Sequence, residues 1–244
     1  MRAWIGCLAA YNNGTLHGQW FDVSTDPEVN RANIAQVLRS SPNPNIRVQP
    51  LVCVDCDHHT THQLGYRESP TTCACGGMLR TDGEPYNTAE EAYVADYDET
   101  PRALVDRLGE YPSCVALALA AELLDAVSEA WADDGDQAAG LAVYLDRMGH
   151  DPDNLAAQMF RDWVSDHYRG SGDTRAAWTE EWMNETGFFD LDPPPGMRGP
   201  ELEAFQERAA TICRYFDFDA YSRDLECSGF TFERSASGVL VFSD

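Results

Sequence analysis

"LVCVDCDHHTTHQLGYRESPTTCACGGML", residues 51–79, holds four of the chain's eight cysteines in two close pairs. How this stretch is read decides the fold of everything before residue 100. The spacing is Cys53-x2-Cys56 and Cys73-x-Cys75, with Gly76 and Gly77 directly behind the second pair. Thiolates in two tight pairs suit tetrahedral zinc, and the glycines let the second knuckle turn beneath the metal. The expected occupant is one structural zinc ion on Cys53, Cys56, Cys73 and Cys75. His58, His59 and His62 stand close enough in sequence to replace one cysteine. Four thiolates close the coordination shell and leave no open position for a catalytic water. About 35 residues cannot bury enough apolar surface to fold alone, so metal coordination supplies the missing stability. The segment therefore reads as a zinc-ribbon-like insertion, at about residues 49–84, into a small domain.

The flanks of the insertion supply that domain. "AWIGCLAAY" (3–11) and "TLHGQWFDV" (15–23) read as two strands around Asn12-Asn13-Gly14, a hairpin signal. Asp26-Pro27 then opens a helix, with Asp26 as N-cap and Pro27 at the first helical position. The proline-rich "SPNPN" ends that helix, and beyond the cysteines "EAYVADYDE" (91–99) alternates as a third strand.

From residue 101 the pattern turns helical. Ser113 can cap "SCVALALAAELLDAVSEAWADD", whose Val115, Leu119, Leu123, Val127 and Trp131 form one apolar stripe. Further helices are expected from Asp136 to Gly149, from Asp151-Pro152, over 173–187 with Gly187 past the end, and on to about residue 213. "GFTFERSASGVLVFSD" closes the chain as a hairpin over Ser237-Gly238. The fold class is α+β in three small domains: 1–100 carrying the insertion, a helical 101–150, and an α+β 151–244.

No run of about 18 apolar residues exists, so no membrane span is expected, and "MRAWIGCLAAYNNG" turns polar too soon for a signal peptide. Cysteines in a chain of that kind point to a reducing, cytoplasmic compartment. The chain carries 41 acidic residues against 17 basic ones, and every basic one is Arg. A halophile's coat would cover every region alike. Instead residues 1–50 sum to +1, residues 51–85 to −3 and residues 86–244 to −22. The concentration favours a functional charged surface.

That surface has a pattern. Glu122, Asp125, Glu129 and Asp133 follow steps of 3, 4 and 4, which places them on one helical face. Asp162 and Asp166 repeat the i,i+4 step, as do Glu181 and Glu185. Like charges so spaced repel, costing about a few tenths of a kcal/mol per pair, so this is not the cheapest solvated face. Duplex DNA presents about one negative charge per 1.7 Å of axis, and rows of carboxylates on helices can imitate that field.

No catalytic residue is expected. Cys7 and Cys114 lie on apolar faces, and Cys213 and Cys227 flank aromatic helical residues, as core cysteines do. His17, His150 and His167 are isolated, and "GSG" at 170–172 lacks the strand-to-helix context of a phosphate loop. The ribbon itself offers only Arg67 and Arg80 as cations, too few to meet a polyanion.

At "YNNGTLHGQW" (11–20) the chain resembles the ArdA family of antirestriction proteins. The likeness continues, in order, at "LGEYPS" (108–113), "AVYLDRMGHD" (142–151), "DHYRGSGDTRAAWTEEWMNETG" (166–187) and "YFDFDAYSRDLECSGFTFE" (215–233). It covers most of the chain outside about residues 48–85. The resemblance implies an elongated homodimer of three small domains, encoded on mobile elements and phages and acting in the bacterial cytoplasm. It implies a mimic of bent B-DNA that blocks type I restriction–modification enzymes by filling the DNA groove of the methyltransferase core. It brings no catalytic residues and no direct binding of nucleic acid. The cysteine insertion and the proline-rich loop at 190–200 depart from the family pattern. The rival reading is a zinc-ribbon regulatory protein that binds a basic protein partner.

Overall fold

The structure is a computed structural model that describes residues 1–65, 68–149, 155–188 and 193–244. It divides into two compact units, residues 1–122 and 123–244, and its mixture of helices and several sheets is α+β.

In the first unit, β1 (Arg2–Cys7) lies between β2 (Gly18–Asp22) and β7 (Ala92–Asp98), antiparallel to both. Sequence and structure agree on these strands but not on the first connection. β1 stops at Cys7, and "LAAYN" turns into a short helix, α1 (Leu8–Asn12), before the chain returns. The Cys7 thiol accepts the Ala10 N–H as an N-cap, and Gly14 turns with φ +78°. Helix α2 (Pro27–Arg39) starts as expected: the Asp26 carboxylate accepts the Glu28 N–H at 2.9 Å. It lays Val37 against Ile5, Cys7, Ala10 and Ala89, with Ile34 and Leu38 at the edge of that core.

Between β2's helix and β7 the chain builds a second sheet. Strand β3 (Ile46–Cys53) pairs with β4 (His59–Gln63) on one side, and with β5 (Leu79–Thr81) and β6 (Tyr86–Thr88) on the other. Val48 faces Tyr86 in this register. The excursion therefore leaves and re-enters at neighbouring positions on paired strands. Helix α3 (Arg102–Leu108) follows, buried through Leu104 and Leu108.

Helix α4 (Cys114–Ala130) is capped as read, Ser113 Oγ accepting the Ala116 N–H at 3.0 Å. Of the expected stripe, Leu123, Val127 and Trp131 are buried, Leu119 is half-buried and Val115 is 52% exposed, while Leu117 and Ala120 join the buried side.

The second unit is built around a sheet ordered β8 (Tyr168–Gly172), β10 (Gly238–Ser243), β9 (Phe230–Ser235). β9 and β10 form the expected terminal hairpin, with Ser235 facing Gly238 across the turn. β10 is central and covered on both faces. Val239 and Val241 pack with Trp178 of α7 (Arg175–Glu185) and Leu225 of α9 (Phe218–Glu226). On the other side Phe242 lies 6.4 Å from the Trp131 ring and 5.1 Å from that of Trp163 in α6 (Ala157–His167). Tyr144 of α5 (Asp134–Arg147) and Phe160 complete this layer, 5.2 Å apart and edge to face.

α5 begins at Asp134 with Asp133 as N-cap, two residues earlier than its expected start at Asp136. The expected start of α6 at Asp151-Pro152 lies outside the described residues, and its described part begins at Ala157. α7 is capped by Thr174, and Gly187 takes φ +70° just past its end. α8 (Pro200–Tyr215) runs close to its expected extent.

Candidate metal centre and acidic surface

The four cysteines of the insertion converge. Cys53 ends β3, and Cys56 follows in a turn where the Asp57 N–H meets the Cys53 carbonyl at 3.2 Å and Asp57 takes φ +53°. Across the site, the Gly76 N–H returns to the Cys73 carbonyl at 2.9 Å, and Gly76 takes φ +90°. The Gly77 N–H donates to the Cys75 sulfur at 3.4 Å. A Cβ at Gly77 would sit on the Asp55 carboxylate and 2.8 Å from Cys53 Sγ, so this position has no room for a side chain.

Cys53 Sγ is 3.5 Å from Cys75 Sγ, Cys56 Sγ is 3.8 Å from Cys73 Sγ, and all four sulfurs lie within 4.8 Å of one another. Disulfides would bring each pair to about 2.05 Å. A tetrahedron with metal–sulfur bonds of about 2.3 Å has edges of about 3.8 Å. The group has the size of a single tetrahedral metal ion's shell, and it can hold one.

Its electrostatics ask for a cation. The backbone N–H of Asp55, helped by that of Cys56, holds the Cys53 thiol down to about 7. The His58 N–H favours the Cys56 thiolate, but the sulfurs of Cys75 and Cys53 outweigh it and push Cys56 up to about 12. At Cys75 the Gly77 N–H likewise favours the thiolate, yet the sulfurs of Cys53 and Cys73 raise its pKa. One thiolate among crowded sulfurs discourages a second until a metal supplies positive charge. The histidines stand apart. His59 Nδ1 meets Asp82 at 3.0 Å, and none of His58, His59 or His62 belongs to the cluster.

The acidic positions sort into free, paired and capping groups. Glu122, Asp125 and Glu129 lie exposed on α4 at steps of 3 and 4. Asp133 does not continue their face, because α4 ends at Ala130. The Asp133 carboxylate instead accepts the Gly135 N–H at 2.8 Å as the cap of α5. Glu129 is paired with Arg161 at 2.9 Å, and Asp162 accepts from Gln158 at 2.7 Å. Asp166, Glu181 and Glu185 are exposed, and among the described residues none of these three, nor Glu122 or Asp125, has an ion-pair partner.

Sequence reasoning placed Asp136 as a helix start. The structure buries it, its carboxylate accepting the Ser237 N–H at 3.2 Å and the Ser237 hydroxyl at 2.8 Å. Burial pushes that carboxyl up, and the donors of Ser235 and Ser237 more than reverse it, so its pKa is lowered. The isolated histidines are structural where described: His17 meets the Val37 carbonyl at 3.1 Å, and His167 meets that of Ser243 at 2.8 Å. Cys7 is buried as expected, but Cys227 is exposed at the end of α9. "GSG" is the end of strand β8, two residues ahead of α7, so a strand-to-helix setting is present where none was expected. A Cβ at Gly172 would meet Trp178, so that glycine serves packing.

Residues 3–237 match the family described as Antirestriction protein (ArdA). The chain belongs to the ArdA family. The match runs from the first strand to the terminal hairpin and encloses the cysteine cluster. ArdA is a family of antirestriction proteins, not of enzymes. Among curated proteins no sequence matches the chain. Among the described residues no helix is long and apolar enough to cross a membrane.

Proposed function

We propose that this ArdA chain inhibits type I restriction–modification enzymes by presenting its carboxylates where duplex DNA presents phosphates, in the groove of the methyltransferase core. The observation that carries this reading is the set of exposed helical carboxylates left without cations. Glu122, Asp125, Asp166, Glu181 and Glu185 have no ion-pair partner among the described residues, in a region of net charge −22. Asp133, Asp162 and Glu129 are further exposed carboxylates, Glu129 available at the cost of releasing Arg161. Exposed ion pairs are worth about 0–1 kcal/mol, so a basic groove can displace that arginine.

The reading extends to assembly and setting. The chain acts as a homodimer in the cytoplasm of a bacterial host, and its gene belongs to a mobile element or phage. The metal is a structural zinc ion on Cys53, Cys56, Cys73 and Cys75, four soft thiolates being the donor set that selects zinc over harder divalent cations. Its ribbon does not contact nucleic acid. The deciding experiment is competition: the protein should displace duplex DNA from a type I methyltransferase, and its own binding to the enzyme, measured without DNA, should weaken as salt rises. Failure to displace DNA, or direct binding indifferent to salt, would refute the reading.

A further inference from the structure

The insertion and α2 enclose a cleft of about 760 Å³ that DNA mimicry does not use. One wall is the face of β3 that carries Ile46, Val48 and Pro50, together with Tyr86 on the paired β6. The other is the side of α2 that carries Ala32 and Ala35. The volume is that of a small-molecule site, and the walls present apolar and polar surface in about equal measure.

The charged groups at its rim decide the ligand. Arg31 is held by Glu28, with both carboxylate oxygens within 3.1 Å, and His59 is held by Asp82. Arg39 is different. Its Nε donates to Tyr86 Oη at 3.1 Å, and its guanidinium carbon lies 4.7 Å from the centre of the same ring. Among the described residues no carboxylate reaches ion-pair distance of Arg39, Glu90 at the same cleft included, although the chain holds 41 acids against 17 arginines. The tyrosine fixes the guanidinium and leaves its two Nη groups able to donate in parallel, the arrangement that binds a carboxylate.

We propose that this cleft binds a small organic acid, with an apolar, ring-sized body between α2 and β3 and its carboxylate on the Nη groups of Arg39. An inorganic anion offers the charge but nothing for the alanines and Pro50 to hold. The proposal is independent of the antirestriction reading.

The test uses the full-length, zinc-loaded chain and three probes: 1-naphthoate, its neutral isostere 1-naphthalenemethanol, and inorganic phosphate. Binding is followed by NMR on the methyl groups of Ala32 and Leu51. Naphthoate should saturate with an affinity about tenfold above the alcohol, and phosphate should not saturate. Arg39→Gln should erase the difference between acid and alcohol while leaving the alcohol unchanged. Ala35→Trp, which fills the cleft, should abolish both while the melting temperature holds. Equal affinity for acid and alcohol, an Arg39→Gln protein that binds naphthoate like wild type, or no saturable binding would each overturn the proposal. Inhibition of restriction, measured on the same Arg39→Gln protein, should not change.

Discussion

Because Val48 and Tyr86 face each other across β3 and β6, residues 49–85 can be replaced by a two-residue Asn-Gly turn. The magnitude follows from chain entropy. Without metal the insertion is a loop of 37 residues closing the β3–β6 pair. Shortening that loop to two residues recovers (3/2)RT ln(37/2), about 2.6 kcal/mol. The buried residues lost with it, Leu51, Val52 and Cys53, belong to the insertion's own sheet. The α2 core of Ile5, Cys7, Ala10, Val37 and Ala89 is untouched. The shortened protein should therefore melt roughly 8–12 °C above the chelated wild type, and close to the metal-loaded one. Calorimetry on the three samples, with circular dichroism for helix content, measures this. The reasoning is refuted if the shortened protein melts at or below the chelated wild type, or loses its helices at 25 °C. Inhibition of at least some type I enzymes should survive the replacement.

Zinc uptake at pH 7 should release more than two protons per ion, because all four thiols must ionise and those of Cys56 and Cys75 are held protonated by their neighbours. Apparent affinity should accordingly fall by about a hundredfold or more per pH unit below 7, and calorimetry in buffers of different ionisation enthalpy should count the protons. One proton or fewer would exclude a four-thiol set. Gly77→Ala should weaken metal retention while leaving the helical signal intact, since its Cβ intrudes on Asp55 and Cys53; unchanged retention in a chelator competition contradicts the geometry. Asp136→Ala should cost about 1–3 kcal/mol at pH 7 by denaturant unfolding. The folded pKa of Asp136 is lowered, so its contribution is present above the unfolded value of about 3.9 and fades as pH falls through the folded one. A penalty that stays constant down to pH 3 argues against that account. Glu122→Gln with Asp125→Asn should weaken DNA displacement by less than about tenfold and flatten its salt dependence, because the remaining carboxylates still fill a basic groove. Complete loss of activity from this pair would point to a localised site instead.

What could be read from the sequence was what local chemistry fixes within a few residues. The caps at Asp26 and Ser113 and the φ +70° glycine at Gly187 each act on their own helix end, and each is in place. The cysteine cluster was legible for a related reason. Two turns can bring sulfurs together only at short spacing, and a metal then defines the geometry. The missed elements depend on partners far along the chain. "YRGSG" has no strand propensity of its own; it becomes β8 because β10 offers a paired edge and Trp178 packs against Gly172. "LAAYN" continues an apolar alternation and reads as strand until Cys7 caps it as a helix. α9 did carry a signal, Asp217 accepting the Ala220 N–H at 2.8 Å ahead of Phe218 and Leu225.

The same distinction bears on the acidic surface and on why an acidic chain can carry a four-cysteine cluster able to hold a metal ion. Periodicity identified the exposed face of α4, but it could not show that Asp133 leaves that face to cap α5, or that Arg161 reaches across to Glu129. Charge alone therefore overstates the free carboxylates, and tertiary pairing selects among them. The ribbon escapes the conflict between acid and metal because its cation is met by thiolates, not by the acidic field. Four sulfurs within 4.8 Å carry more negative charge than one divalent ion can neutralise once all are ionised. The backbone N–H groups of Asp55, Cys56, His58 and Gly77 point at them. Those amides stabilise the surplus charge locally, as backbone donors do in anion-binding turns. The metal site is thus electrostatically self-contained. It can sit in a domain of almost any net charge, and its presence in an acidic ArdA chain requires no basic face.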